Sequence, residues 1–440
     1  MVGAEMLALA KELFPICRSI TGDGVRRTLG VIKREVPALQ VVEVPSGTPA
    51  FDWMVPDEWN IREAWIETPD GRRIADFRDN NLHVVSYSEP IDTVLPLATL
   101  QSHLHSLPGQ PNAIPYVTSY YRRNWGFCLP DRVRQTLVPG DYRVYIDSTL
   151  APGSLTYGEV RLPGEGSQQV LLWTYVCHPS MANNELSGPA VAVKLAQWLS
   201  GRSSRRYSYR IVFAPETIGA LVYLSRHLAE LQDHVVAGFV LTCLGDERAY
   251  SYLESRGGAT LADRVAQHVL QHLSPGFRRY RYLDRGSDER QFGFPGIDLP
   301  VCSVMRSKYG EYPEYHTSLD DFSVVTAAGL AGGFEALKRC VECLERNETY
   351  VTTTLGEPQL GRRGLYPTTG GMAATREVRN TLNLLAYSDG GRDLIAIADV
   401  LGCPLQEIAP TADKLVAAGL LRPLDQSASR FVSSRSTAPQ

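Results

Sequence analysis

The chain has 440 residues, enough for a large core and two or three domains. Its formal charge is only −4, with 44 Lys and Arg against 48 Asp and Glu, which excludes a field drawing the whole protein to nucleic acid or membrane. The start has no basic segment followed by an apolar one, and no long apolar run occurs later. Together with eight scattered cysteines, this predicts a reduced, cytoplasmic protein with no membrane partner.

In chain order, Glu5–Phe14 and Gly24–Glu35 have helical spacing, and Pro15 ends the first. The turn between them, Pro15 to Gly24, either caps the second helix or projects Arg18 towards a pocket. Short β-type runs follow at Leu39–Val44, Ile61–Glu67, Leu82–Val85, Asp141–Ser148 and Ser154–Leu162, divided by Pro, Gly and Asn. They predict a mainly antiparallel subdomain over residues 39–160, inserted between the first helices and the rest. Within it, His83, His103 and His105 are candidate metal ligands or hydrogen-bonded loop histidines. The aromatic-basic stretch Pro115–Phe127 either packs or walls a substrate pocket.

A βαβαβ rhythm comes next: strand Val170–Val176, helix Gly188–Leu199, strand Ser208–Ala214, helix Ile218–His227, strand His234–Cys243. It predicts a mainly parallel sheet covered on both faces, formed by residues 1–38 and 161–350. Tyr250–Glu254 and Pro300–Met305 are further strands, and Thr260–Leu273 and Val324–Arg346 are helices. Cys340 and Cys343 have C-x-x-C spacing without a second pair, so they read as buried thiols in the last helix.

Residues 360–426 differ again. Thr375–Ser388, Gly391–Leu401 and Leu405–Ala418 are helical, and Gly402-Cys403-Pro404 joins the last two. This pattern predicts a winged helix-turn-helix. Its third helix carries Gln406, Glu407, Asp413 and Lys414, and lacks arginines for phosphate contacts. That argues against DNA and for packing or a protein partner, a second copy included. Residues 427–440 read as a polar, flexible tail.

Chemistry-bearing residues fall just beyond the strands. His178 follows the first core strand, Glu216 and Thr217 the second, Cys243 and Asp246 the third, and His316 the last. Parallel strands bring such ends to one edge of the sheet. Two histidines with nearby oxygen ligands suit zinc, and Glu216 is placed to be a general base. The alternatives are hydrogen-bonded loop histidines and a carboxylate at the N-terminus of the helix starting at Ile218.

His178, Ala182-Asn183-Asn184-Glu185-Leu186-Ser187-Gly188, Pro215-Glu216-Thr217-Ile218-Gly219, Ser287-Asp288-Glu289-Arg290-Gln291-Phe292 and Tyr315-His316-Thr317-Ser318-x-Asp320 resemble the zinc aminopeptidases of the bacterial leucyl aminopeptidase and glutamate carboxypeptidase type. The opening Phe14–Gly22 and the segment Ile114–Cys128 are similar to a bacterial branch of aminopeptidase-like proteins with an inserted β domain and a C-terminal winged helix. The resemblance implies an αβα sandwich. It makes His178 and His316 metal ligands, places Asn184 at a bridging aspartate, and makes Glu216 the base. Thr217 stands at a glutamate ligand and Cys243 near an aspartate ligand. With amide, hydroxyl and thiol at three acidic positions, one zinc ion is expected rather than two, with Asn183, Glu185, Cys243 and Asp320 as further ligands or supports.

The resulting expectation is a zinc-dependent hydrolase of an amide in a small amino-acyl or modified amino-acid substrate, in a polysaccharide or secondary-metabolite pathway. Asp288, Glu289, Glu314 and Tyr315 are candidates to receive a substrate ammonium, and Arg290, Arg306 and Arg18 a carboxylate. The competing readings are a degenerate ligand-binding protein and a metabolite-sensing regulator acting through the winged helix.

Overall fold

The computed structural model describes residues 1–366 and 372–424; the predicted tail at 427–440 lies outside them. The main sheet has eight strands: β1 Gln40–Pro45, β2 Ser154–Leu162, β3 Gln169–Tyr175, β4 Ser208–Ala214, β5 Val235–Val240, β6 Ser251–Leu253, β7 Arg278–Tyr280 and β8 Val301–Met305. Their spatial order is β1-β2-β4-β3-β5-β8-β6-β7. The four central strands, β4, β3, β5 and β8, are mutually parallel. Antiparallel pairings of β2 with β4 and of β6 with β8 extend the sheet on either side.

β3 is apolar along its length because both of its faces are covered. Leu171, Trp173 and Tyr175 share one face and pack into a core with Val222, Tyr223 and Leu224 of helix Ile218–His234. Helix Ser187–Ser200 packs against β3 and against helices Val2–Leu13 and Asp23–Glu35. Gly188 permits its close approach to the sheet: a Cβ there would lie 2.2 Å from the Leu241 carbonyl oxygen and 2.4 Å from Thr174 Oγ1.

A separate four-stranded antiparallel sheet has the order Arg73–Asp76, Glu58–Glu67, Asp141–Ala151, Ile91–Pro96. Its core includes Ile66, Phe127, Val144 and Ile146. Two runs assigned by sequence to the insert, 40–45 and 154–162, instead pair with each other and join the main sheet. The local pattern reveals a strand, but not which sheet it enters. Residues 82–85 also differ: Asn81–His83 is a short 3₁₀ turn capped by the Asn80 side chain. His83 Nδ1 donates to the Cys128 carbonyl at 2.8 Å, and His103 stacks on Trp125 with centroids 3.7 Å apart. The insert's histidines form no ligand cluster among the described residues.

The chain divides into two compact units, Met1–Asp263 with Phe277–Lys338, and Arg264–Gly276 with Arg339–Gln440. In the second, helices Met372–Tyr387, Leu394–Leu401 and Leu405–Ala417 accompany a three-stranded sheet ordered Asp389–Asp393, Thr349–Thr352, Leu421–Pro423. This is the expected winged helix-turn-helix arrangement. Asp393 caps the middle helix by accepting the Ala396 amide at 3.0 Å, and Gly402 ends it in the left-handed region. Cys340 and Cys343 are fully buried, and burial pushes both thiols up, in keeping with inert core residues. Among the described residues no single helix is long and apolar enough to cross a membrane.

Candidate functional site

The loops after the four parallel strands supply the site. β3 runs into Cys177 and His178, β4 into Glu216 and Thr217, β5 into Thr242 and Cys243, and β8 into the segment reaching His316. Four non-glycine residues along these loops, Ser180, Thr217, Cys243 and His316, have φ between 45° and 61°. Such backbone strain persists where surrounding contacts over-determine it, commonly at functional sites.

His178 is buried and held from behind. Its Nδ1 hydrogen-bonds Glu185 Oε2 at 2.8 Å and lies 3.4 Å from Cys177 Sγ. Its carbonyl accepts from Arg18 Nε at 3.1 Å. That leaves Nε2, with Glu216 Oε2 3.5 Å away. Burial favours the neutral imidazole, but the Cys177 sulfur and Glu185 outweigh it and hold the His178 pKa well above its ordinary value.

The His316 ring centroid is 5.3 Å from that of His178. Tyr315 stacks on His316 at 3.9 Å, and Tyr116, from the inserted segment, meets it edge-on at 5.3 Å. The Tyr116 amide donates to the His316 carbonyl at 3.0 Å. His316 Nε2 is buried with no hydrogen-bond partner. Burial, and then His178, push the His316 pKa down to about 3, so its ring is neutral.

Asn184 lies in a π-helical turn, Ala182–Leu186, at the entry to helix Ser187–Ser200. Such turns are frequent at functional sites. Its Nδ2 donates to the Tyr175 hydroxyl at 3.0 Å, while Oδ1 is buried and unpartnered. Asp320 holds the turn by accepting the Asn183 and Asn184 amides at 2.6 and 2.9 Å.

Glu216 is fixed through its neighbours. Its amide donates to Cys177 Sγ at 3.2 Å. The Thr217 amide donates to Asp288 Oδ1 at 2.8 Å, and Trp173 Nε1 donates to Asp288 Oδ2 at 2.7 Å. Burial pushes Glu216 up against the opposing pull of His178 and Arg290. Asp288 is pushed up to about 8, by burial and then by Glu216.

Of these groups His178, Glu216 and His316, together with Arg290, line a cavity of about 570 Å³, and Asn184 is not part of its wall. Tyr116 and Tyr120 line it too, their hydroxyls 2.8 Å apart. At its rim Trp53 and Tyr121 meet edge-on at 5.5 Å, both substantially exposed. The aromatic-basic stretch thus contributes wall.

Several sequence candidates stand elsewhere. Arg18 is fully buried beneath His178, 3.6 Å from Glu185, and does not reach the cavity. Asp288 lies under the Thr217 turn. Glu289 is buried, accepting the Gly286 and Ser287 amides at 3.0 and 3.1 Å and the Tyr309 hydroxyl. Arg306 is buried over the Tyr250 ring, and Glu314 pairs with Arg248 at 2.8 Å. Tyr315 supports His316. Asn183 bridges Asp246 and the Gly245 amide. Cys243 sits in an apolar cluster with Met305 and Tyr312, and burial pushes its thiol up to about 12, which leaves it neutral. Cys177, Ile218 and Gln291, to which the sequence analysis gives no role, also touch the cavity. Cys177, directly before His178 at a strand end, was the available signal.

Among the described residues, Cys177, His178 and Glu185 are the one group of three His, Cys, Asp or Glu side chains whose ligand atoms lie close enough together to share a cation. The adjacent Arg18 guanidinium compensates Glu185 and opposes a cation at Nδ1. Glu185 is better suited to orient His178 from outside the ligand set.

The fold is that of the M28-type aminopeptidases. A zinc aminopeptidase from Bacillus subtilis matches with a TM-score of 0.56 at 12% identity, over 78% of this chain and 94% of the other. A peptidase M28 precursor from Shewanella amazonensis matches at 0.54 and 11%, over 81% and 94%. The chain itself belongs to the family described as domain of unknown function DUF4910, whose model spans residues 7–347, followed by a winged helix-turn-helix match over 348–423. A Clostridium acetobutylicum protein named for polysaccharide biosynthesis and an aminopeptidase-like domain is 43% identical over 96% of each chain. A crystal structure named as a peptidase from that organism superposes with a TM-score of 0.90 at 42% identity, also over 96% of each.

Proposed function

We propose that the chain hydrolyses an amide bond with the help of one divalent ion, zinc being the ion that the fold's aminopeptidase relatives suggest. The observation carrying this is the meeting of His178 with His316 and Glu216, with His316 Nε2 buried and without a partner; Asn184 Oδ1, on the turn that also carries Glu185, is buried and unpartnered as well. A buried polar atom left unpaired costs about 1–3 kcal/mol; two imidazole nitrogens suit zinc, and the amide oxygen of Asn184 would be a neutral, weaker third ligand in place of a carboxylate. Thr217 and Cys243 supply no acid for a second ion. When bound, the ion provides a Lewis acid that polarises an amide carbonyl.

The chain's own residues do the rest. Glu185 fixes the His178 ring through Nδ1. Without a cation, the Cys177 sulfur and Glu185 favour the doubly protonated form of His178, so an ion held at Nε2 would take the place of that proton. Glu216 accepts the proton of the attacking water and returns it to the departing amine nitrogen, and its raised pKa suits both steps. The relative named for polysaccharide biosynthesis supports a place in such a pathway, where the substrate would be a small amino-acylated compound or a modified amino acid.

The test is zinc content together with turnover of a panel of aminoacyl amides and N-acyl amino acids. The reading predicts about one ion per chain, and a loss of about 10³-fold in rate for Glu216→Gln with the ion retained. Full activity in that variant would reject Glu216 as the base. A ligand-binding protein without turnover is the second reading, supported by the non-acidic Asn184, Thr217 and Cys243. A chain that remains zinc-free after zinc addition would favour it.

A further inference from the structure

We infer that the cavity selects an anionic substrate, by its carboxylate or an equivalent oxyanion, and that Arg290 is the group that reads it. The inference rests on the proposed hydrolase reading, which commits Glu216 to the reacting water. Receiving a protonated amine in a partly dry pocket requires a carboxylate or several well-aimed acceptors. Among the described residues on the cavity wall, Glu216 is the only carboxylate, and the reaction occupies it. Asp288, Glu289 and Glu314 are taken up by backbone amides, the Tyr309 hydroxyl or Arg248.

On the cationic side, Arg290 lies on the same wall as His178, Glu216 and His316. Its Nη2 donates to Thr217 Oγ1 at 2.6 Å, which anchors the fork to the Glu216 turn. Its Nε is buried without any partner, and no carboxylate lies within ion-pair distance of it among the described residues. A guanidinium anchored at one nitrogen, with another left unsatisfied, is preorganised for a planar oxyanion. The unpartnered donor next to a wall without a free acid therefore points away from a substrate with a free amino terminus.

The test compares two sets of probes on the full chain: N-acetyl amino acids, which carry a carboxylate and no ammonium, and the matching amino-acid amides, which carry the reverse. Binding is followed by calorimetry or ligand-observed NMR, with and without EDTA. The expected result is saturable binding of at least one N-acetyl amino acid that survives EDTA, with no binding of its amide. Arg290→Gln should weaken it by about tenfold or more, and Arg290→Lys should restore part of it. An unchanged melting temperature in Arg290→Lys guards against a folding defect. Preferential binding of the amides, undiminished binding in Arg290→Gln, or no N-acetyl amino acid bound at about 10 mM would overturn the inference. Zinc content and Glu216→Gln turnover report on the hydrolase reading itself, so its failure is distinguished from a failure of anion binding.

Discussion

Asn184 stands where the resemblance expects an acid, and its effect on the proposed site is measurable. Asn184→Asp replaces a neutral oxygen by a charged one, and the Tyr175 hydroxyl, which accepts from Asn184 Nδ2, would turn to donate to the new carboxylate. Zinc affinity, followed by competition with a chelator, should rise by about tenfold or more. Glu185→Gln acts in the opposite direction. It keeps the shape, loses the charge that orients His178, and should weaken zinc by about 10- to 100-fold. In the metal-free chain His316 titrates at about 3, below the ordinary imidazole value of about 6.5. The unfolded chain therefore takes up this proton first, and the stability due to the neutral ring is lost as pH falls through that window. Relative to His316→Gln, wild type should lose stability between pH of about 6.5 and 3, read from denaturant midpoints in EDTA; parallel curves would contradict the assignment.

The entry to helix Ser187–Ser200 matters most among the elements, because it sets the π turn carrying Asn184 and Glu185. Gly188→Ala would drive a methyl group into the Leu241 carbonyl and Thr174 Oγ1. It should destabilise by about 1–3 kcal/mol, seen in thermal melting, and weaken zinc binding as the turn shifts. At this scale the sequence was highly legible. Val170–Val176 and Ser208–Ala214 come out as Gln169–Tyr175 and Ser208–Ala214, because buried parallel strands are continuous apolar runs. His178, Glu216 and His316 were legible because strand ends converge. The roles of Asp288, Glu289, Arg306 and Arg18 were not. A polar run such as Ser287-Asp288-Glu289-Arg290 carries no sign of which side chains turn inward to amides and which face a cavity. Here three neighbouring residues face differently within one short turn, and Arg290 alone of Asp288, Glu289 and Arg290 meets the cavity.

At the level of the molecule, the boundary between the two family matches, 347/348, does not coincide with the boundary of the compact units. Residues 264–276 belong with the C-terminal unit. Within that unit His268 Nδ1 lies 2.6 Å from Asp399 Oδ1, and its Nε2 accepts the Leu405 amide at 3.0 Å. Val265, Val269 and Leu270 are buried. A chain ending at 347 would strip these partners from a helix in the middle of the sequence. It should melt at lower temperature and bind a hydrophobic dye; a truncated chain as stable as the whole would show that the helix needs no such cover. The winged helix is thus tied by contacts to earlier sequence.

Anomalous scattering at the zinc edge, from crystals of the full chain grown with zinc, tests the central claim most directly. The account predicts one peak per chain, bounded by His178 Nε2, Asn184 Oδ1 and His316 Nε2. No peak, two peaks, or a peak between Cys177 and Glu185 would contradict it.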